Sequence, residues 1–241
     1  MVHVIGMISW KSPKDFFLVC HCTGTMTGRR IIVLISEFRS VASSAPSPTT
    51  STAGAGTNLQ ALIYAHIVLV LSNRKATYGF TRSQGAGPPI LARYLALQPY
   101  LKGAPDRTRM TYDAEIARIV LETHPDIIVL AGWMHVFGDG FLDAVGALPV
   151  SYLDPALPGA FDGTNRLERS YVAFQKGKVD IVSAMAHRVV KGVNLGEPVV
   201  EREVEIKKDG PLEEYEWRLH RAECETIVEA TRKVLDEVRP M

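Results

Sequence analysis

The chain has 241 residues, 46% of them hydrophobic and 22% charged, enough to bury one α/β core and too few to demand a second domain. A formal net charge of +1, with lysine and arginine scattered, provides no basic stripe for a phosphate backbone, so nucleic acid is excluded as the expected partner. No apolar run approaches the roughly 20 residues of a membrane span, and the three cysteines, Cys20, Cys22 and Cys224, form neither a disulfide framework nor a zinc set. The expected setting is the reducing cytoplasm, with a small molecule as the partner and a monomer or homodimer as the assembly.

Residues 1–29 read as an N-terminal extension, expected to be poorly ordered. Their Cys20-His21-Cys22 run has no partner ligands nearby, and the segment before Met26 holds no arginine and includes Asp15, unlike a mitochondrial leader. The folded domain is expected over 30–240. It opens with a β-branched run at 30–36, the pattern of a strand buried on both faces of a parallel sheet. A Ser/Pro-rich insertion follows at 37–53, with Pro46 and Pro48 and neither periodicity. Gly54-Ala55-Gly56 then precede Thr57, a candidate cap, and a helix-forming run. The next strand, 66–72, comes so soon that this first helix must be stunted. Further strands are expected at 126–132, 149–153, 184–190 and 199–206, with helices near 112–122, 166–175 and 212–238. Strands alternating with helices predict an α/β fold with an open, mostly parallel twisted sheet flanked by helices. Ligands then belong at the carboxyl ends of the strands, around Ser36, 131–134 and 153–155.

Four segments stand out along the chain: Gly56-Thr57-Asn58-Leu59-Gln60-Ala61-Leu62, Leu130-Ala131-Gly132-Trp133-Met134, Asp154-Pro155-Ala156-Leu157-Pro158-Gly159 continuing to Thr164, and Gly196-Glu197-Pro198-Val199-Val200. In order and spacing they resemble the monofunctional phosphoribosylglycinamide formyltransferases, whose fold is Rossmann-like. The resemblance implies 10-formyltetrahydrofolate as cofactor, no metal, and formyl transfer to the amine of glycinamide ribonucleotide in purine biosynthesis. It places the substrate phosphate at Gly56, Thr57 and Asn58, where a helix start offers free N–H donors. It places Met134, His135, Val136 and Phe137 along the folate side, together with Lys191, Gly192 and Val193, and it turns Glu223 toward the substrate amine. Read without the resemblance, His124 and His135 are surface or loop histidines.

The chemical centre departs from the family. The reaction passes through a tetrahedral intermediate whose oxygen becomes an anion and whose nitrogen sheds a proton. An asparagine and a histidine in the pattern Asn-Leu-His-Pro, and an aspartate just before Gly-Glu-Pro, handle those charges. Here the positions are Tyr152, Asp154 and Asn194. A tyrosine hydroxyl sits farther out than an amide, an ionised aspartate accepts where the histidine would donate, and an asparagine takes up no proton. His187 is the titratable base that remains on the strand leading to Asn194. Lys191-Gly192 replaces an acidic pair of the folate-side loop, which argues against unchanged folate binding, and Cys224 replaces a histidine. The substitutions favour a repurposed enzyme acting on a different small molecule; a residual or true phosphoribosylglycinamide formyltransferase and a non-catalytic homologue are the alternatives.

Overall fold

The structure is a computed structural model that describes residues 28–36, 57–63, 65–154, 166–179, 181–191 and 196–238. The expectations for 1–27 and for the 37–53 insertion lie outside these residues, as do Gly56, Gly192, Val193, Asn194 and the side chains of Thr57 and Asp154.

Among the described residues seven strands form one sheet: β1 (Ile31–Ile35), β2 (Ile67–Ser72), β3 (Ala92–Tyr94), β4 (Ile127–Ala131), β5 (Val150–Asp154), β6 (Val182–Arg188) and β7 (Pro198–Val204), in the order β3-β2-β1-β4-β5-β6-β7. Pairings from β3 through β5 are parallel, while β6 runs antiparallel to both its neighbours. The alternation rule ends there for a simple reason. Only residues 189–197 join β6 to β7, too few for the crossover of a dozen or more that a parallel partner requires.

Every residue of β1 and of β4 is buried, because helices cover both faces of the sheet. On one face Ile31, Val33, Ile35 and Val129 meet Leu59 and Leu62 of α1 (Thr57–Leu62) and Ile227 and Val234 of α7 (Leu212–Val238). On the other, Ile32, Leu34, Ile128 and Leu130 meet Tyr112, Ile116 and Val120 of α4 (Arg109–Leu121) and Phe141 of α5 (Asp139–Val145). A third cluster packs Tyr171 and Phe174 of α6 (Arg166–Gln175) with Tyr215 and Leu219 of α7 over β6 and β7. As the short interval before β2 required, α1 has only six residues. α4 begins at a capping box in which Thr108 and Thr111 satisfy each other's N–H groups at 2.8 and 3.2 Å.

Three helices and one strand were not foreseen: α2 (Tyr78–Gly85), β3, α3 (Leu97–Lys102) and α5. β3 is a three-residue edge strand with no buried residue, α3 buries none either and carries Pro99, and α5 contains Gly140. None offers enough apolar periodicity to be seen.

Candidate active site

β2 lies on one side of β1 and β4 on the other, so successive connections leave in opposite directions and the carboxyl ends of β1 and β4 form the switch point of the sheet. Local bonds tie this edge together. The buried Ser36 donates from Oγ to Asn73 Oδ1 at 2.7 Å and from its N–H to Gly132 O at 3.2 Å. Gly132 has φ of +68°, a left-handed conformation that glycine adopts without strain and that turns the chain abruptly out of β4. At the start of α1, Cys224 Sγ of α7 donates to Asn58 Oδ1 at 3.7 Å, which sets residue 224 level with that edge.

The chain leaving β4 alternates inward and outward. Met134 and Val136 are each 52% exposed. His135 lies in a loop, one of the two placements read from sequence, but turns in and not toward the surface: its Nε2 donates to Asp113 Oδ1 at 2.6 Å. The other oxygen of Asp113 accepts from the Gly138 N–H at 2.9 Å, and Arg109 Nη2 donates to Val136 O at 2.6 Å. Asp113 lies on the buried face of α4, where a carboxylate needs donors, and this loop supplies two of them. Phe137 stacks between Trp133 and Phe141, with ring centroids 5.6 and 3.7 Å away. Its ring therefore belongs to the core, while the side chains of Met134 and Val136 stay exposed. Beside it, burial and then the charge of Asp113 push the Tyr112 phenol well above its usual range, and its hydroxyl donates to Leu95 O at 3.0 Å.

Tyr152 and His187 are directly opposed across the antiparallel β5–β6 pair, with ring centroids 5.4 Å apart. The Tyr152 ring is half-buried against the α4–α5 core. His187 is 6% exposed, and its Nδ1–H donates to Arg188 O at 2.9 Å, which leaves Nε2 as an acceptor. The register slips between Ala186 and His187, where His187 faces Pro198, a residue with no N–H to give the ladder. Part of the Gly-Glu-Pro motif is thereby explained by the sheet. A Cβ on Gly196 would lie 1.5 Å from Arg188 O, and the Arg188 N–H donates to Glu197 O at 3.1 Å, closing the turn into β7. Lys191 pairs with Asp143 of α5, whose hydrogen bond and charge hold the ammonium pKa above its ordinary value.

The formyl transferase family profile matches residues 29–231. The phosphoribosylglycinamide formyltransferase of Saccharomyces cerevisiae is 40% identical over 205 residues, covering 77% of this chain and 95% of the yeast protein. That of Schizosaccharomyces pombe is 36% identical over 197 residues, covering 76% and 94%. The chain belongs to the phosphoribosylglycinamide formyltransferase family. Among solved structures, glycinamide ribonucleotide transformylase 1 from Geobacillus kaustophilus superposes with a TM-score of 0.67 at 24% identity, covering 86% of this chain and 98% of that one. The likeness extends to the fold as a whole, an open and mostly parallel sheet flanked by helices.

In this member of the phosphoribosylglycinamide formyltransferase family, Glu223 sits on the buried side of α7, 8% exposed as a side chain, and accepts from His220 Nδ1 at 2.8 Å. The resemblance turned Glu223 toward the substrate amine and gave it no partner on its own helix. The signal was present in helical spacing, since Glu216, His220 and Glu223 fall on one face. Asp113 was missed too, because it stands 22 residues from His135 and belongs to none of the four motifs. Among the described residues no group of three His, Cys, Asp or Glu is placed to hold a metal ion, and no helix is long and apolar enough to cross a membrane.

Proposed function

We propose that this chain transfers the formyl group of 10-formyltetrahydrofolate to the amine of glycinamide ribonucleotide, at a rate reduced by its altered centre. The observation that carries the reading is the 40% identity maintained along 95% of the yeast phosphoribosylglycinamide formyltransferase. In this reading Gly56, Thr57 and Asn58 hold the substrate phosphate, Met134 to Phe137 and Lys191 to Val193 flank the folate, and Glu223 receives the amine end. The amine nitrogen attacks the formyl carbon, the nitrogen loses a proton, and the bond to folate N10 breaks as N10 takes a proton up. Tyr152 and a protonated Asp154 serve as donors to the oxyanion, His187 as base, and Asn194 only as a hydrogen-bonding group.

Losing one oxyanion donor costs roughly 10²- to 10³-fold and losing a positioned acid or base roughly 10²- to 10⁴-fold, so the low ends together give about 10⁴-fold. The clustering of three substitutions at one centre favours a second reading, a kept scaffold turned to another small molecule. The packing of the Tyr152 ring against the α4–α5 core weighs against Tyr152 as a new reactive group.

The test is turnover of purified protein with both substrates, following deformylated folate, beside the triple variant Tyr152→Asn, Asp154→His, Asn194→Asp. Slow turnover requiring both substrates, and rising in the variant, is the expected result. Turnover in the variant alone would shift the conclusion to a repurposed or non-catalytic protein, and equal rates in the two would show the charge argument to be wrong while the activity stands.

A further inference from the structure

We infer that His220 is a positioning residue: clasped between Glu216 and Glu223, it fixes the Glu223 carboxylate on the buried side of α7 with one oxygen left for an N–H or O–H donor of the ribonucleotide. The inference rests on the formyl-transfer reading for the identity of that ligand, and on geometry for the rest. His220 Nδ1 lies 2.8 Å from Glu223 Oε2 and Nε2 lies 3.7 Å from Glu216 Oε1, with the imidazole side chain only 13% exposed. At 3.7 Å the Glu216 contact is an ion pair, and the one hydrogen bond is to Glu223. Burial opposes a charge on His220, but the two carboxylates outweigh it and raise the His220 pKa to about 10.

A carboxylate as buried as Glu223 is costly unless paired, and His220 supplies a charge-assisted hydrogen bond on one oxygen. No described residue hydrogen-bonds the other oxygen. The groups around it are few. Tyr215, two turns earlier on α7, has its hydroxyl engaged with Ser170 Oγ of α6 at 2.9 Å, and the residue after Glu223, Cys224, reaches Asn58 of α1. A ligand whose phosphate sits at the start of α1 therefore has this carboxylate within the same stretch of the site, and a ligand amine or hydroxyl is the group it would select. Folate, flanked in the proposed reading by Met134 to Phe137 and Lys191 to Val193, would not feel it.

Two measurements on the full chain test this. In the first, NMR of the histidine ring C–H groups follows protonation: His220 stays cationic past pH 9, and Glu223→Gln lowers its titration toward the ordinary value of about 6.5. In the second, calorimetry measures binding of glycinamide ribonucleotide and of 10-formyltetrahydrofolate to His220→Leu and His220→Gln. The leucine variant is expected to bind the ribonucleotide about 10- to 100-fold more weakly, the glutamine variant less so because it keeps a neutral donor, and both to bind folate as before. If the leucine variant does not fold, the glutamine variant carries the comparison. Titration of His220 near 6.5 in the unmodified chain would overturn the inference, as would unchanged ribonucleotide binding in a folded variant. Failure of the unmodified chain to bind the ribonucleotide at all would instead sink the formyl-transfer reading and the ligand assignment with it.

Discussion

Replacing Asp113 by alanine removes the anchor of the loop that leaves β4. Two hydrogen bonds are lost at once, from His135 Nε2 at 2.6 Å and from the Gly138 N–H at 2.9 Å. His135, whose side chain is 9% exposed, is left as a nearly buried donor without a partner, at about 1–3 kcal/mol. Gly138 is exposed and water replaces its lost acceptor, so that bond contributes about 0.5–1.5 kcal/mol. Alanine regains roughly 0.5 kcal/mol of helix propensity in α4. The net expectation is a loss of about 1–4 kcal/mol, at roughly 2–4 °C in Tm per kcal/mol for a domain of this size. Asp113→Asn keeps one acceptor oxygen and should lose about half as much. Urea unfolding of the two variants against the parent measures it directly. A loss below about 1 kcal/mol in the alanine variant would show that the loop is held by its aromatic packing alone. Under formyl transfer, the same variant should raise KM for folate more than it lowers kcat.

Phe141→Ala empties a fully buried ring position stacked on Phe137 and should cost about 3–5 kcal/mol by chemical denaturation. Gly196→Ala places a methyl against Arg188 O, backbone that can move only by parting β6 from β7, so a loss of about 1–3 kcal/mol and faster amide exchange along β7 are expected. His220 has a folded pKa raised to about 10 from 6.5. Its protonation therefore stabilises the fold fully below about pH 6.5, less as pH rises, and not at all once pH passes through about 10. The stability difference between the parent and His220→Gln, measured from pH 6 to 10, should shrink in that direction, and a difference that is flat or grows with pH would contradict the pairing.

Strands buried on both faces were plain in the sequence because they leave no polar alternation to misread: 30–36, 66–72 and 126–132 contain β1, β2 and β4. α7 was equally plain from its apolar spacing. The edge elements were not, since β3 and α3 bury nothing and carry no pattern. The antiparallel turn from β6 to β7 went unread because Gly196-Glu197-Pro198 served only as a mark of family resemblance, when contact with Arg188 O already demands a glycine. His135 illustrates a more general limit. Loop position predicts exposure, but a carboxylate on the buried face of a helix overrides it, and only the fold brings residues 113 and 135 together.

The proposed site divides binding from chemistry, and that division is testable. Glu223 and Asn58 belong to α7 and α1, on one face of the sheet, whereas Tyr152 packs with the α4–α5 core on the other. A donor to the oxyanion acts mainly in the transition state, so restoring it should change kcat and leave substrate affinity nearly alone. The triple variant Tyr152→Asn, Asp154→His, Asn194→Asp is therefore expected to gain about 10⁴-fold in kcat, with Kd for glycinamide ribonucleotide moving less than about 3-fold by calorimetry. It should also be less stable than the parent, by about 1–3 kcal/mol, because asparagine cannot fill the half-buried space of the Tyr152 ring against the core. A shift in Kd as large as the shift in kcat would refute the division, placing Tyr152 among the groups that hold the ground-state ligand rather than those that meet the developing charge.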